Sequence, residues 1–341
     1  MSISIVQDVS KISRSEWDDF VWNHPQGNYF QSAVAFDLFK SIPAYLPMVF
    51  AAVDTEDQKI KGILLAVVQK EGKGVVGKFT ARAIVWGGPL VKNEDPSIAE
   101  MILSAYDQTA SEHAIYSQFR NLSDLTFAKK AFTNNGFEFL EHLNFLVPTS
   151  TIDSVQKLVS KSKIRQIKKG LSSGASIVEA TTLEEVKEFY VLLKILYRTK
   201  VKKPLPDWIF FEDFFRVSCK NGLGTYLLIK ENDKVIGGIM CPITPGKAIY
   251  EWYIAGDDLH SKHLYPSILA TWAAIEYGCT HQLDHFDFLG AGKPDQDYGV
   301  REFKAKFGGT EMNFGRFEKV HKPLLMSIGK TGIALLKHMK R

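Results

Sequence analysis

The densest run of chemistry-bearing side chains is His281-Gln282-Leu283-Asp284-His285-Phe286-Asp287. A metal needs ligands that converge on one point. In an extended chain, alternation sends His285 and Asp287 to one face and Asp284 and Phe286 to the other. The run therefore reads as a strand rather than a metal centre. Cys219, Cys241 and Cys279 lie far apart with no Cys-x-x-Cys pair, so they read as small apolar residues of a reducing compartment and not as a zinc ribbon. The sequence has neither a Gly-x-Ser-x-Gly elbow nor a Gly-x-x-x-x-Gly-Lys-Ser/Thr loop, which removes the commonest serine hydrolase and a Walker-type nucleotide site. Cations are more distinctive. The net charge is +4, yet residues 301–341 hold ten Lys/Arg against three Glu, leaving 32 basic and 35 acidic side chains in the rest. A near-neutral body with a basic end fits an anionic partner, and equally a plain solvated face.

The elements that must position these groups repeat. A chain of 341 residues with 45% hydrophobic and 23% charged residues has the balance of a globular enzyme with one large or two ordinary domains. It shows no apolar run near the roughly 18–20 residues that cross a bilayer. The first 17 residues carry Asp8 and Glu16 without an apolar signal core, and the expected location is cytoplasmic. In the first half, strand-like runs at 47–54, 60–69 and 83–86 precede Gly87-Gly88-Pro89, a helix from Pro96-Ser97-Ile98 to about Glu112, and a strand at 114–119. In the second half, strands at 225–230, 235–243 and 248–255 precede a helix from Pro266-Ser267-Ile268 to Gly278 and a strand at 285–289. Alternation bounded by Asp, Asn and Gly turns supports the strands, and proline suits a first helical turn. The two Pro-Ser-Ile helix starts stand 170 residues apart, and Gly62 and Gly237 hold matching places. The repeat is too long for a solenoid unit. It predicts two related domains, residues 1–150 and 151–320, joined by a basic linker-like stretch at 160–174, with a cleft between them.

Strands first, then a helix, then another strand is α+β rather than strict βαβ alternation. The order resembles that of GNAT acyltransferases, so the expected fold is two tandem GNAT-like domains related by duplication. Such enzymes carry an Arg/Gln-x-x-Gly-x-Gly/Ala loop whose N–H groups hold the pyrophosphate of coenzyme A at a helix N-terminus. Here the corresponding segments are Lys92-Asn93-Glu94-Asp95-Pro96 and the run from Asp257-Asp258 to Tyr265-Pro266. Neither has the glycine pair, and both carry carboxylates that would repel a diphosphate.

Several segments together resemble the Fem aminoacyltransferases, in a compact form without the long helical arm that some members insert. They are the basic run Ser160-Lys161-Ser162-Lys163-Ile164-Arg165-Gln166-Ile167-Lys168-Lys169-Gly170, Trp252-Tyr253-Ile254-Ala255-Gly256, Tyr265-Pro266, Asp287-Phe288-Leu289-Gly290, and the stretch from Tyr298 through Phe303-Lys304 to Phe307-Gly308. Tyr29-Phe30-Gln31-Ser32 and Gly88-Pro89 resemble the family's opening and its Gly-Pro turn. The resemblance implies transfer of an aminoacyl group from aminoacyl-tRNA to an amine of a peptidoglycan precursor stem peptide, forming a cross-bridge amide. It implies no cofactor, with aminoacyl-tRNA as the donor substrate. An amine attacking an activated ester needs positioning and stabilisation of the developing oxyanion rather than a covalent nucleophile.

The resemblance assigns Lys304 to that charge and Phe303 to stacking on the terminal base of the tRNA. For both residues the sequence leaves open a plain role, as surface lysine and core aromatic. It places Arg198 against precursor phosphates, with Lys200, Lys202 and Lys203 in a loop over the substrate and Lys40 contributing from the first domain. Trp252, Tyr253, Tyr265 and Asp287 complete the expected substrate-binding set. Two positions differ from the family pattern: Lys92 stands where members often place Asp, and Ala35, followed by Phe36, where they place an aromatic. The sequence leaves two other readings open. One is an N-acyltransferase acting on an amino sugar of a surface polysaccharide, and the other is a non-catalytic peptide- or sugar-binding module. Residues 321–341 pair Leu325, Ile328, Leu335, Leu336 and Met339 with Lys330, Lys337, Lys340 and Arg341. That pattern fits a surface-lying amphipathic segment contacting the inner membrane face near a lipid-linked precursor, or a helix docked on the protein itself.

Overall fold

The computed structural model describes residues 2–70 and 80–327. The chain forms two compact units, residues 1–141 with 314–341, and residues 142–313. In the first, β1 (Ile3–Val6), β2 (Tyr45–Asp54), β3 (Ile60–Gln69), β4 (Arg82–Trp86), β5 (Leu90–Val91), β6 (Tyr116–Arg120) and β7 (Glu138–Leu140) are read in order. The second unit holds β8 (Asn144–Pro148), β9 (Ala175–Glu179), β10 (Gly224–Glu231), β11 (Lys234–Thr244), β12 (Ala248–Tyr250), β13 (Tyr253–Gly256), β14 (His285–Asp287) and β15 (Thr310–Met312). The chain then returns to the first sheet as β16 (Arg316–Val320).

The two sheets share one plan. The first runs β1-β2-β3-β4-β6-β16-β7 with β5 on β3, and the second β15-β8-β14-β12-β11-β10-β9 with β13 on β11. Neighbours are antiparallel except β4 with β6 and β12 with β14. Gly62 pairs with Val91 on β5, and Gly237 pairs with Gly256 on β13. A side chain at either glycine would press on the covering helix, on Ile102 Cδ1 at 2.8 Å or Pro266 Cβ at 3.0 Å. The helices Pro96–His113 and Pro266–Thr280 therefore lie close on their sheets. Helix Pro96–His113 buries Ile98, Ile102, Leu103, Tyr106 and Ala110 at helical spacing. Helix Pro266–Thr280 buries residues on nearly every side, Trp272 among them. Both units are thus mixed helix and sheet, and the duplication read from the sequence is visible strand by strand.

Two boundaries differ from the expected ones. Residues 144–148 do not close the first domain; β8 lies between β14 and β15 of the second. Reciprocally, β16 inserts between β6 and β7 of the first, where Phe317 stacks on Phe132 at 3.8 Å between centroids. Each unit's sheet takes this strand from the other half of the chain, and a division at residue 150 cuts through the exchange. Nor is 160–174 a linker: Lys161–Ser172 is a helix of the second unit, started by Ser160 and packed through Ile164 and Ile167. The run 248–255 breaks at Glu251-Trp252 into β12 and β13. Of the C-terminal segment, only Pro323–Ser327 is helical among the described residues; residues 328–341, which carry all four expected membrane-contact cations, lie outside them.

Candidate active site

In the second unit the parallel pair β12/β14 is extended one residue by the Glu251 N–H, which donates to the Asp287 carbonyl at 2.9 Å. The equivalent bond in the first unit runs from Gly87 N–H to the Arg120 carbonyl, also at 2.9 Å. Glu251 therefore stands where the ladder ends and the chain turns into β13. Helix Gly299–Ala305 brings Lys304 to the same point. Its ammonium lies 2.8 Å from Glu251 Oε1 and donates to the carbonyls of Phe288 and Gly290, each at 2.9 Å. An ammonium has three N–H groups, and all three are engaged. Lys304 is 7% exposed, buried rather than at a solvated rim.

Asp287 is also buried. It accepts from Asn144 Nδ2 at 2.8 Å and from the Leu289 N–H at 2.6 Å, while Gly290 N–H donates to Asn144 Oδ1 at 2.8 Å. These bonds hold the chain through Leu289 and Gly290, both at positive φ. Burial raises the carboxyl pKa of Glu251, opposed by the charge of Lys304. Burial likewise raises that of Asp287, opposed first by the Asn144 hydrogen bond. Asp287 thus shapes the turn from within, and the exchanged strand β8 supplies its main partner.

Aromatic rings cluster at the two residues after Glu251. Trp252 meets Phe210 edge-on at 5.0 Å, and Tyr253 lies 5.2 Å from Phe211 and 6.3 Å from Tyr197. The Tyr197 hydroxyl is held above its ordinary pKa by burial and by the nearby Glu251 charge. Arg198 and Lys200 follow in the π-helical turn Tyr197–Val201, with Lys202 at φ 54°. Both are exposed and continue the preceding helix, while the exposed Lys202 and Lys203 begin the loop that runs to Asp207, as expected. Arg198 adjoins the aromatic wall as the neighbour of Tyr197. Lys40 belongs to the first unit, on the last turn of helix Ala33–Ser41 with its ammonium 5.9 Å from the Phe36 ring centre.

Phe303 packs against the second core and Phe307, with the Lys163 ammonium 4.1 Å over its ring. Burial, and then the nearby Lys306 charge, lower the Lys163 pKa to about 8. Tyr265 adopts φ 55° immediately before helix Pro266–Thr280 and packs partly on the same core. In the first unit, Gln31 is fully buried, donating to the Leu65 and Trp86 carbonyls and accepting from Leu65 N–H at 2.7 Å. Its motif therefore braces β3 against β4. Lys92 lines a cavity of about 760 Å³ with Lys59, Lys61, Glu16, Asp19, Asp57 and Glu94.

Both helix starts that would hold a coenzyme A pyrophosphate are occupied by the chain's own carboxylates. Asp258 accepts from Ser267 N–H at 3.2 Å and Ser267 Oγ at 2.6 Å. Asp95 accepts from Ser97 N–H at 2.9 Å and Ser97 Oγ at 2.6 Å. Sequence reading missed Glu251 and Asn144. A lone acid within the apolar run 248–255 is the available signal for the first; Asn144 lies 143 residues from its partner and leaves none.

The FemAB family model matches residues 229–331, a stretch that holds Glu251, Asp287, Phe303 and Lys304. No curated protein matches the sequence. Among solved structures, FemX superimposes with a TM-score of 0.72 at 15% identity, covering 96% of this chain and 100% of its own. The C-terminal domain of a putative lysylphosphatidylglycerol synthetase from Agrobacterium fabrum gives 0.58 at 10% identity, covering 95% and 96%. A tandem GNAT protein from the clavulanic acid biosynthesis pathway gives 0.56 at 11% identity, covering 94% and 99%. The fold is therefore that of a Fem-type pair of GNAT-like units, and residues 229–331 carry the sequence pattern of the FemAB family.

Proposed function

We propose that this chain transfers an aminoacyl group from aminoacyl-tRNA to an amine of a peptidoglycan precursor stem peptide. One observation carries the reading: both helix starts that serve coenzyme A in an acyl-CoA enzyme are filled by Asp95 and Asp258, while the buried Glu251–Lys304 pair stands at the end of the parallel ladder. A donor held without that pyrophosphate site, on a FemAB-patterned unit, fits an aminoacyl ester. The amine attacks the ester carbonyl carbon, the carbonyl becomes an oxyanion, and the C–O bond then breaks, the ribose hydroxyl leaving with the proton the amine gives up. Lys304 supplies a fixed positive charge for the oxyanion in a water-poor setting, and Glu251 holds that charge in place. Arg198, Lys200 and Lys203 are exposed cations for precursor phosphates beside the aromatic wall.

The test is transfer of labelled amino acid from charged tRNA to purified precursor, with acyl-CoA donors run in parallel. Label in the precursor from tRNA supports the reading. Transfer from acyl-CoA alone, or precursor binding without turnover, would overturn it.

A further inference from the structure

The helix Lys161–Ser172 repeats like charges where helices ordinarily alternate them. Lys161, Arg165 and Lys169 follow at intervals of four, with Lys168 beside them and Lys157 at the end of the preceding helix Ile152–Leu158. Like charges at this spacing destabilise a helix by a few tenths of a kcal/mol per pair. No acid relieves them: between residues 151 and 174 the single carboxylate is Asp153, and none of these cations forms an ion pair with the described residues. Lys157, Lys161, Arg165 and Lys168 line a groove of about 480 Å³ with Gln156, Val159 and Ile164. No carboxylate lines it, and all four cations are exposed.

The groove begins near the segment that carries Lys304: the Ser160 N–H, between Val159 and Lys161 of its lining, donates to the Lys306 carbonyl at 2.9 Å. A polyanion laid along the cations thus has its Lys161 end near the helix Gly299–Ala305. Four residues of helix rise about 6 Å, a step close to that between successive phosphates of a nucleic-acid strand.

We propose that this groove is the phosphate-binding track for the acceptor stem of the RNA donor. The inference rests on the aminoacyl-tRNA reading and adds where the donor's backbone is held. The cations bind phosphates and not bases, so recognition is independent of tRNA sequence, and affinity falls steeply with salt. A flat anionic leaflet would engage projecting side chains, whereas these cations line a groove.

The experiment measures binding of uncharged tRNA to the full chain across a salt series, for the wild type, Lys161→Glu/Arg165→Glu, Lys161→Gln/Arg165→Gln, and Lys220→Glu as an exposed control outside the groove. The expected result is binding at least about tenfold weaker for both double variants, with a salt slope shallower by about two, and no change for Lys220→Glu. Removing the repulsion should leave the melting temperature of the Gln variant equal to or above that of wild type, which separates lost binding from lost fold. Wild-type tRNA binding that the double variants leave intact overturns the track while the donor reading stands. Wild type that binds no RNA overturns both. Variants that lose binding to phosphatidylglycerol-containing vesicles but keep tRNA would assign the groove to a membrane and overturn the proposal.

Discussion

Lys304 combines two roles that its motif does not separate. Its ammonium neutralises a buried carboxylate and ties two carbonyls of the 288–290 turn, so truncation removes a structural charge as well as a proposed catalytic one. Breaking a buried pair by deleting one partner costs about 3–5 kcal/mol. Lys304→Met should lose that much in urea unfolding, and turnover should fall by roughly 100-fold or more. Adding Glu251→Gln removes the stranded carboxylate and should recover part of the stability with none of the activity. A Lys304→Met protein as stable as wild type would show that the pair does not support the fold. At this scale the motif singles out Phe303 and Lys304, but gives no sign that Lys304 is buried. Lys304 reads equally as a surface lysine because a lysine in the sequence carries no sign of what packs over it. Glu251 and Asn144 meet Lys304 and Asp287 only through the fold, from far along the chain.

Among the elements, the strands were legible where alternation and turn residues agree. The run 60–69 matches β3 end to end, and both Pro-Ser-Ile starts open helices. The errors fall where tertiary context decides. The 248–255 run looks continuous because only Glu251 interrupts its apolar residues, yet the chain leaves one strand at Glu251 and joins another at Tyr253. The basic stretch at 160–174 looks like a linker because its charges hide the apolar side of Ile164 and Ile167. The helix starts bear on donor choice directly. Asp258→Ala should remove the hydrogen bonds to Ser267 and cost about 1 kcal/mol, as for a lost cap. Calorimetry with acetyl-CoA should still show no binding, since no glycine loop replaces the carboxylate. Micromolar acetyl-CoA binding by that variant would mean that Asp258 alone closes a functional coenzyme A site.

For the molecule as a whole, the strand exchange decides what can be removed. Ending the chain after Asn313 deletes β16, leaving β6 and β7 unpaired on facing edges and Phe132 without Phe317. Unit 142–313 keeps all eight of its strands. Limited proteolysis of the shortened chain should therefore find residues 142–313 protected and the first 141 cleaved. Equal protection of both would show that β16 is dispensable. The 170-residue repeat revealed the duplication but not the exchange, because β8 and β16 are short strands of five residues each whose partners lie far along the chain.

On the ribosome, this topology reverses the usual order of completion. Domains generally fold as units, N-terminal first, at about 5–20 residues per second. Here the sheet that begins with residue 3 lacks an internal strand until residues 316–320 emerge, roughly ten seconds or more after its own β7 at such rates. The second unit closes first, once β15 pairs with β8. During that interval the nascent first unit exposes the open edge of β6 beside the buried faces of Phe119 and Phe132. The first half of this protein is thus the last to finish, and its β6 edge stays open longest during synthesis.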